Sequence, residues 1–154
     1  ATGAVGQVRR DPMAMKPFCG YNFGDYWAHW LGFGEKSDKL PRIFHVNWFR
    51  KDADGKFMWP GYGDNMRVLQ WMLGRIEGEA EGEEHVFGVS PRYDDLSWDG
   101  MEFSQAQFES VIGIDHAAWQ QELALHEQLF EQLAHNLPAA LRATKAQIEV
   151  RLAR

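Results

Sequence analysis

The chain has 154 residues, 45% of them hydrophobic and 25% charged, enough for one domain with a buried core and unlike a disordered chain. Its net charge of −6 argues against a nucleic-acid binder that works by neutralising phosphates. A single cysteine, Cys19, excludes an internal disulfide and suits a cytoplasmic setting, and neither a membrane span nor a signal peptide is expected.

Residues 1–6 are small, and no methionine opens them, which permits a longer protein cut at this point. Pro12 then interrupts regular structure, because proline restricts the residue before it. The aromatic, glycine-rich run 18–24 reads as a tight connection. Asn22 or Asp25 is expected to cap a short helix carrying Tyr26, Trp27, His29, Trp30 and Leu31, ended by Gly32 and Gly34. Residues 34–39 read as a polar loop. The run Gly34-Glu35-Lys36-Ser37 lacks the glycine before the lysine and the preceding strand of a phosphate-binding loop, and is not one.

Residues 43–49 read as the best strand of the chain, with Ile43, His45, Asn47 and Phe49 on one face and Phe44, Val46 and Trp48 on the other. Asp54-Gly55 makes a turn, and residues 57–59 are expected to pair back before Pro60. Asp64 caps a helix to about Ile76, with Val68, Leu69, Met72, Leu73 and Ile76 at helical spacing. An acidic loop over 77–84 precedes a short strand at 86–89. A polar connection over 94–100 follows. Ser104 caps a helix to Ile112, and Asp115 caps a long one to about Asn136, with Trp119, Leu123, Phe130, Leu133 and Leu137 on one face. Pro138 separates the last helix, which carries Leu141, Ile148 and Leu152 and a basic side of Arg142, Lys145, Arg151 and Arg154. The expected fold is α/β in class (α+β-like and helix-rich), with a small sheet or hairpin and a C-terminal helical hairpin.

Within residues 41–76, Phe49, Phe57 and Tyr62 interleave with turn residues in a way that suits a flat aromatic ligand. A purine needs apolar surfaces on its faces and fixed donors and acceptors at its edge. Gly61 and Gly63 allow close backbone approach, and the Asn65 amide offers both hydrogen-bonding senses. Spacing alone favours core packing over a ligand slot, and Asn65 serves a helix cap equally well.

The runs MKPFCGYNFGDY (15–26), IFHVNWFRKD (43–52) and WPGYGDN (59–65) resemble the GTP-dependent phosphoenolpyruvate carboxykinases in order and spacing. The likeness is dense over 11–76 and looser beyond. It implies the C-terminal end of the nucleotide-binding lobe, with 1–154 a single fragment: 1–10 the tail of a mobile lid, 41–76 the guanine-binding segment, 104–154 the C-terminal helices. It implies the gluconeogenic lyase reaction, in which oxaloacetate and GTP give phosphoenolpyruvate, carbon dioxide and GDP with Mn2+ or Mg2+. Guanine is then expected between Phe49 and Tyr62, with Phe57 completing the pocket and Tyr62, Gly63, Asp64 and Asn65 forming the nucleotide segment. Tyr62 stands where the family usually has phenylalanine, which keeps the stacking face and adds a hydroxyl.

The resemblance places the phosphate loop, metal ligands and substrate arginines before this region. No catalytic residue and no metal ligand is therefore expected here, and Cys19 reads as a small buried residue. The expected partners are a guanine nucleotide and the missing N-terminal part of the enzyme, not nucleic acid or membrane, with a dimer of the fragment through exposed surface as a further expectation. The isolated fragment is expected to be inactive. The alternative is a non-enzymatic, aromatic-rich protein-interaction domain.

Other chemistry is poorly supported. His29 has Asp25 four residues before it but no third ligand, and His45 has no such neighbour. His116, His126 and His135 are too far apart along a helix to stack as an i, i+4 pair. Asp94-Asp95 and Glu83-Glu84 read as solvated loop acids, and the basic side of the last helix as a solvated face or a contact with the missing part.

Overall fold

Residues 8–154 are described by the computed structural model, and they form α1 (Phe23–Lys36), α2 (Asn65–Glu77), β1 (Glu83–His85), β2 (Gly88–Ser90), α3 (Gln105–Ile112), α4 (His116–Gln132) and α5 (Ala139–Leu152). This is the helix-rich class expected, with one small antiparallel sheet among the described residues. The lid-tail expectation for residues 1–10 falls mostly outside the described residues. Contacts divide the chain into two units, one of residues 8–40 with 115–154 and one of residues 41–114.

In the first unit, Asn22 caps α1, its side-chain oxygen accepting from the Gly24 amide at 2.7 Å. Gly32 and Gly34 do not end this helix; it runs to Lys36, with Ser37 as its C-cap. An isolated glycine only weakens a helix, and here the chain holds the turn past both. Gly34 to Lys36 are therefore helical, not part of a polar loop. Phe23 is almost fully buried, with Trp27 edge-on at 5.0 Å and Trp27 in turn against Phe130 of α4 at 6.1 Å. Gly24 sits so close to Asn136 that a Cβ there would lie 2.5 Å from a backbone oxygen. Cys19 is half-buried rather than buried.

Asp115 caps α4 by accepting from the Ala118 amide at 2.9 Å. α4 stops at Gln132, and residues 133–136 form turns before Pro138 opens α5. The expected helical hairpin is present: Leu123, Leu133 and Leu152 are buried, and Glu127 takes Arg142 at 2.6 Å and Lys145 at 3.1 Å across the two helices. The basic side of α5 is thus partly spent on this pairing.

The second unit holds the main aromatic core, in which Trp71, Leu96, Phe103 and Phe108 are buried together. Trp98 joins by stacking on Tyr93 at 5.2 Å and on Phe103 at 5.0 Å. On α2 the buried residue is Trp71, flanked by the partly buried Val68 and Met72; Leu69, Leu73 and Ile76 are 41%, 56% and 54% exposed. The expected apolar set thus took in three exposed residues and left out Trp71, which with Val68 and Met72 makes the i, i+3, i+4 face turned inward. Ser104 caps α3 in a reciprocal box with Gln107.

The strand expected at 43–49 does not form. A strand is stable only when its backbone groups find a ladder partner, and here only an isolated bridge, Lys51 to Phe57, pairs the two arms. Asn47 also turns the chain by accepting from the Phe49 amide at 3.0 Å. The sheet instead pairs β1 with β2, Glu84 opposite Val89, so the acidic stretch read as loop supplies a strand and Val86-Phe87 make the turn.

Candidate nucleotide-base site

The expected slot lies entirely in the second unit. Its first arm is a tight turn: Asp52 accepts from the Asp54 and Lys56 amides at 3.0 and 2.9 Å, and Gly55 takes a φ of 79° that suits glycine. That turn, with the Met58 amide donating to the Arg50 carbonyl at 2.9 Å, brings Phe49 and Phe57 together, ring centroids 6.0 Å apart and planes at 63°. Both rings are largely in water, 73% and 58% exposed. The Lys51 ammonium stands 5.1 Å from the Phe57 ring centre, a cation–π contact.

Arg50 anchors this arm from below, its guanidinium donating to the Val111 and Gly113 carbonyls at 2.7 and 2.6 Å. Those carbonyls stand at the C-terminal end of α3, where a helix leaves acceptors unpaired and favours a cation. Sequence reasoning missed this role, because nothing local marks which distant carbonyls an arginine will meet.

The second arm is a 3-10 turn over Tyr62–Asp64 leading into α2. Gly61 has a φ of 136°, a conformation open to glycine alone among ordinary residues. Gly63 is different: its φ is ordinary and a Cβ there would meet open space, so the missing side chain leaves room rather than relieving strain. Tyr62 is 92% exposed. Asp64 precedes α2 as expected but makes no side-chain cap; it accepts instead from Arg67 at 3.0 Å. The same guanidinium donates to the Ser97 and Asp99 carbonyls at 2.6 and 3.0 Å, tying the turn to the loop after Leu96.

Asn65 is half-buried, and its side-chain oxygen accepts from the Trp59 indole N–H at 2.8 Å. Trp59 itself is buried, with Trp48, Phe103 and Trp98 at 5.8, 6.2 and 6.4 Å. The structure therefore brings Phe49 and Phe57 into contact, fixes Asn65, and leaves Tyr62 standing free in solvent. The two arms thus offer exposed aromatic faces, one held amide and open backbone around Gly63, the groups that stacking on a flat ring and reading its edge require.

A divalent ion has no evident holder: among the described residues no three His, Cys, Asp or Glu side chains gather to bind one. No described helix is long and apolar enough to cross a membrane. A separate cleft of about 640 Å³, lined by Arg67, Trp71, Glu77, Glu79, Asp94 and Asp95 among others, lies beside α2 in the same unit.

Comparison with known proteins gives a consistent answer. The model of the phosphoenolpyruvate carboxykinase C-terminal P-loop domain matches residues 1–151. A protein from Paenarthrobacter aurescens (strain TC1) named phosphoenolpyruvate carboxykinase (GTP) is 46% identical over 154 residues, covering 99% of this chain and 25% of the relative. One of the same name from Anaeromyxobacter dehalogenans (strain 2CP-C) is 50% identical over 141 residues, covering 92% of this chain and 24% of the relative. The chain thus spans about a quarter of the length of the curated relatives it matches.

Proposed function

The chain belongs to the family of GTP-dependent phosphoenolpyruvate carboxykinases, and from that premise we propose that it supplies the guanine-binding part of such an enzyme. The reaction is the conversion of oxaloacetate and GTP to phosphoenolpyruvate, carbon dioxide and GDP. The site rests on two observations: the exposed Phe49–Phe57 pair, and an amide, Asn65, whose oxygen is held by a buried tryptophan. Phe49 and Tyr62 stack on the base, Phe57 closes a third side, and the 62–65 backbone with the Asn65 amide reads the ring edge. Each stacked ring contributes roughly 1–3 kcal/mol in comparable base-binding systems.

In this reading the chain selects and orients the nucleotide, while the groups holding the divalent ion (Mn2+ or Mg2+), the phosphates and oxaloacetate belong to the remaining, N-terminal part of the enzyme. The whole enzyme is cytoplasmic. Residues 41–76 form the guanine segment, and residues 104–154 are the C-terminal helices of the lobe. The isolated chain is catalytically silent. Decarboxylation of oxaloacetate or phosphoryl transfer by the purified 154-residue protein would contradict this.

The binding test is a titration with GDP and with ADP, read by the fluorescence of Trp48 and Trp59. A saturable response to GDP alone supports the slot; equal responses, or none, count against it. No observation favours the non-enzymatic interaction domain over this reading.

A further inference from the structure

We propose that Trp59 is a positioning residue that sets which end of the Asn65 amide faces the ligand, so that the site accepts a ring bearing a carbonyl and rejects one bearing an amino group. The inference rests on the base-slot reading above and specifies how that slot chooses its ring.

An indole N–H is a donor and never an acceptor. At 2.8 Å from Asn65, the Trp59 nitrogen must therefore meet the amide oxygen, and the two ends of the amide, alike in shape, are told apart by this partner. Trp59 is only 6% exposed, and Trp48, Phe103 and Trp98 surround its ring at 5.8, 6.2 and 6.4 Å, so the donor is held where it is. Turning the amide over would set its NH2 group against the indole N–H and leave a buried donor unpaired.

With the oxygen engaged, the Asn65 Nδ2 is what the side chain has left to offer. It donates to no described residue, and among the described residues no buried polar side-chain atom goes without a partner, so this nitrogen reaches solvent. It presents a donor of fixed sense. Guanine carries an acceptor carbonyl at C6, whereas adenine carries a donor amino group there. The fixed NH2 pairs with the first and opposes the second, and a site built on a hydrogen bond discriminates strongly against a ring that cannot make it.

The test compares GDP and ADP affinities by calorimetry, which does not depend on tryptophan emission. In the wild-type chain GDP binds more tightly. Trp59→Phe keeps an aromatic ring and removes the donor, freeing the amide to turn; GDP is expected to weaken about tenfold with ADP unchanged or improved. A purely structural role would weaken both nucleotides in parallel, and an unchanged GDP-to-ADP ratio would overturn the proposal.

Asn65→Asp leaves every aromatic ring of the core in place. It keeps an oxygen for Trp59 and replaces the outward donor with an acceptor, so GDP is expected to weaken tenfold or more while ADP does not (at the C6 contact a carboxylate oxygen opposes the guanine carbonyl and accepts from the adenine amino group). Wild-type GDP affinity in Asn65→Asp would overturn the proposal even where Trp59→Phe fails to fold. A wild-type chain that binds no GDP, or shows no preference for it, overturns the base slot and this inference together. Preference retained in both variants overturns the inference alone.

Discussion

Residues 41–114 contain two groups of aromatic side chains with opposite relations to water. Trp59, Trp71, Phe103 and Phe108 are each at most 7% exposed, whereas Phe49, Phe57 and Tyr62 are between 58% and 92% exposed. Phenylalanine stands in both groups, so the ring alone does not decide burial; what lies around it does. Trp71 and Trp59 satisfy their indole N–H groups on the Glu81 carbonyl and Asn65, which lets large amphipathic rings go inside. The outer rings sit on turns and stay largely in water: Phe49 and Phe57 meet each other and Lys51 covers part of Phe57, while Tyr62 is almost wholly exposed. The inner group makes a rigid base, and the outer group is surface held in position by it.

The comparison breaks most severely from the inside. Trp71→Ala or Phe108→Ala removes a filled core volume and is expected to cost about 3–5 kcal/mol of unfolding free energy, measured by urea denaturation. A loss under about 1 kcal/mol would mean that the inner group is not a core.

Phe57→Ala and Tyr62→Ala sharpen the contrast. Their unfolding free energy is expected to stay within about 0.5 kcal/mol of wild type. GDP binding should nevertheless weaken by about 1–3 kcal/mol for each ring removed, read by calorimetry. Loss of stability with unchanged GDP affinity would assign these rings to structure.

Ser104→Ala, which opens the capping box of the helix carrying Phe108, is expected to cost about 1 kcal/mol. The measurement is again urea denaturation, and it tests how far the base depends on local capping.

The smallest expected effect concerns pH. Arg92, hydrogen-bonded to Asp95 beside the buried Leu96, holds that carboxyl below its ordinary value of 3.8. A carboxyl with a depressed folded pKa contributes stability above its unfolded value and loses it as pH falls through 3.8 toward the folded value. Arg92 is 52% exposed, so solvent screening keeps the contribution of the pair small. Asp95→Asn should therefore flatten a small part of the fall in thermal stability between about pH 5 and pH 3. An unchanged slope would remove Asp95 from the acid response.

Local signals in the sequence held at three helix caps and one turn, and failed at Asp64, which makes no side-chain cap, and at Gly32 and Gly34, which do not end α1. Asn22, Ser104 and Asp115 each accept from an amide two or three residues on, and Asp54-Gly55 turns the chain as its composition requires. The alternation over 43–49 was misleading, because alternation describes a strand only if another strand pairs with it. The acidic β1 was invisible for the converse reason: Glu83 and Glu84 look like loop residues until β2 is laid alongside them.

By itself the sequence determined the helix-rich class, the caps at Asn22, Ser104 and Asp115, the C-terminal hairpin and the family, since ordered aromatic strings and neighbouring side-chain bonds are written along the chain. Tertiary structure alone decided which aromatic rings are core and which are surface, because burial depends on residues brought from far away. It also decided the sense of the Asn65 amide. Trp59 is six positions from Asn65, yet its indole is walled by Trp98 and Phe103 from much later in the chain. An amide that can hydrogen-bond either way acquires a direction only when a donor is fixed against it, and that fixing is a property of the packed fold.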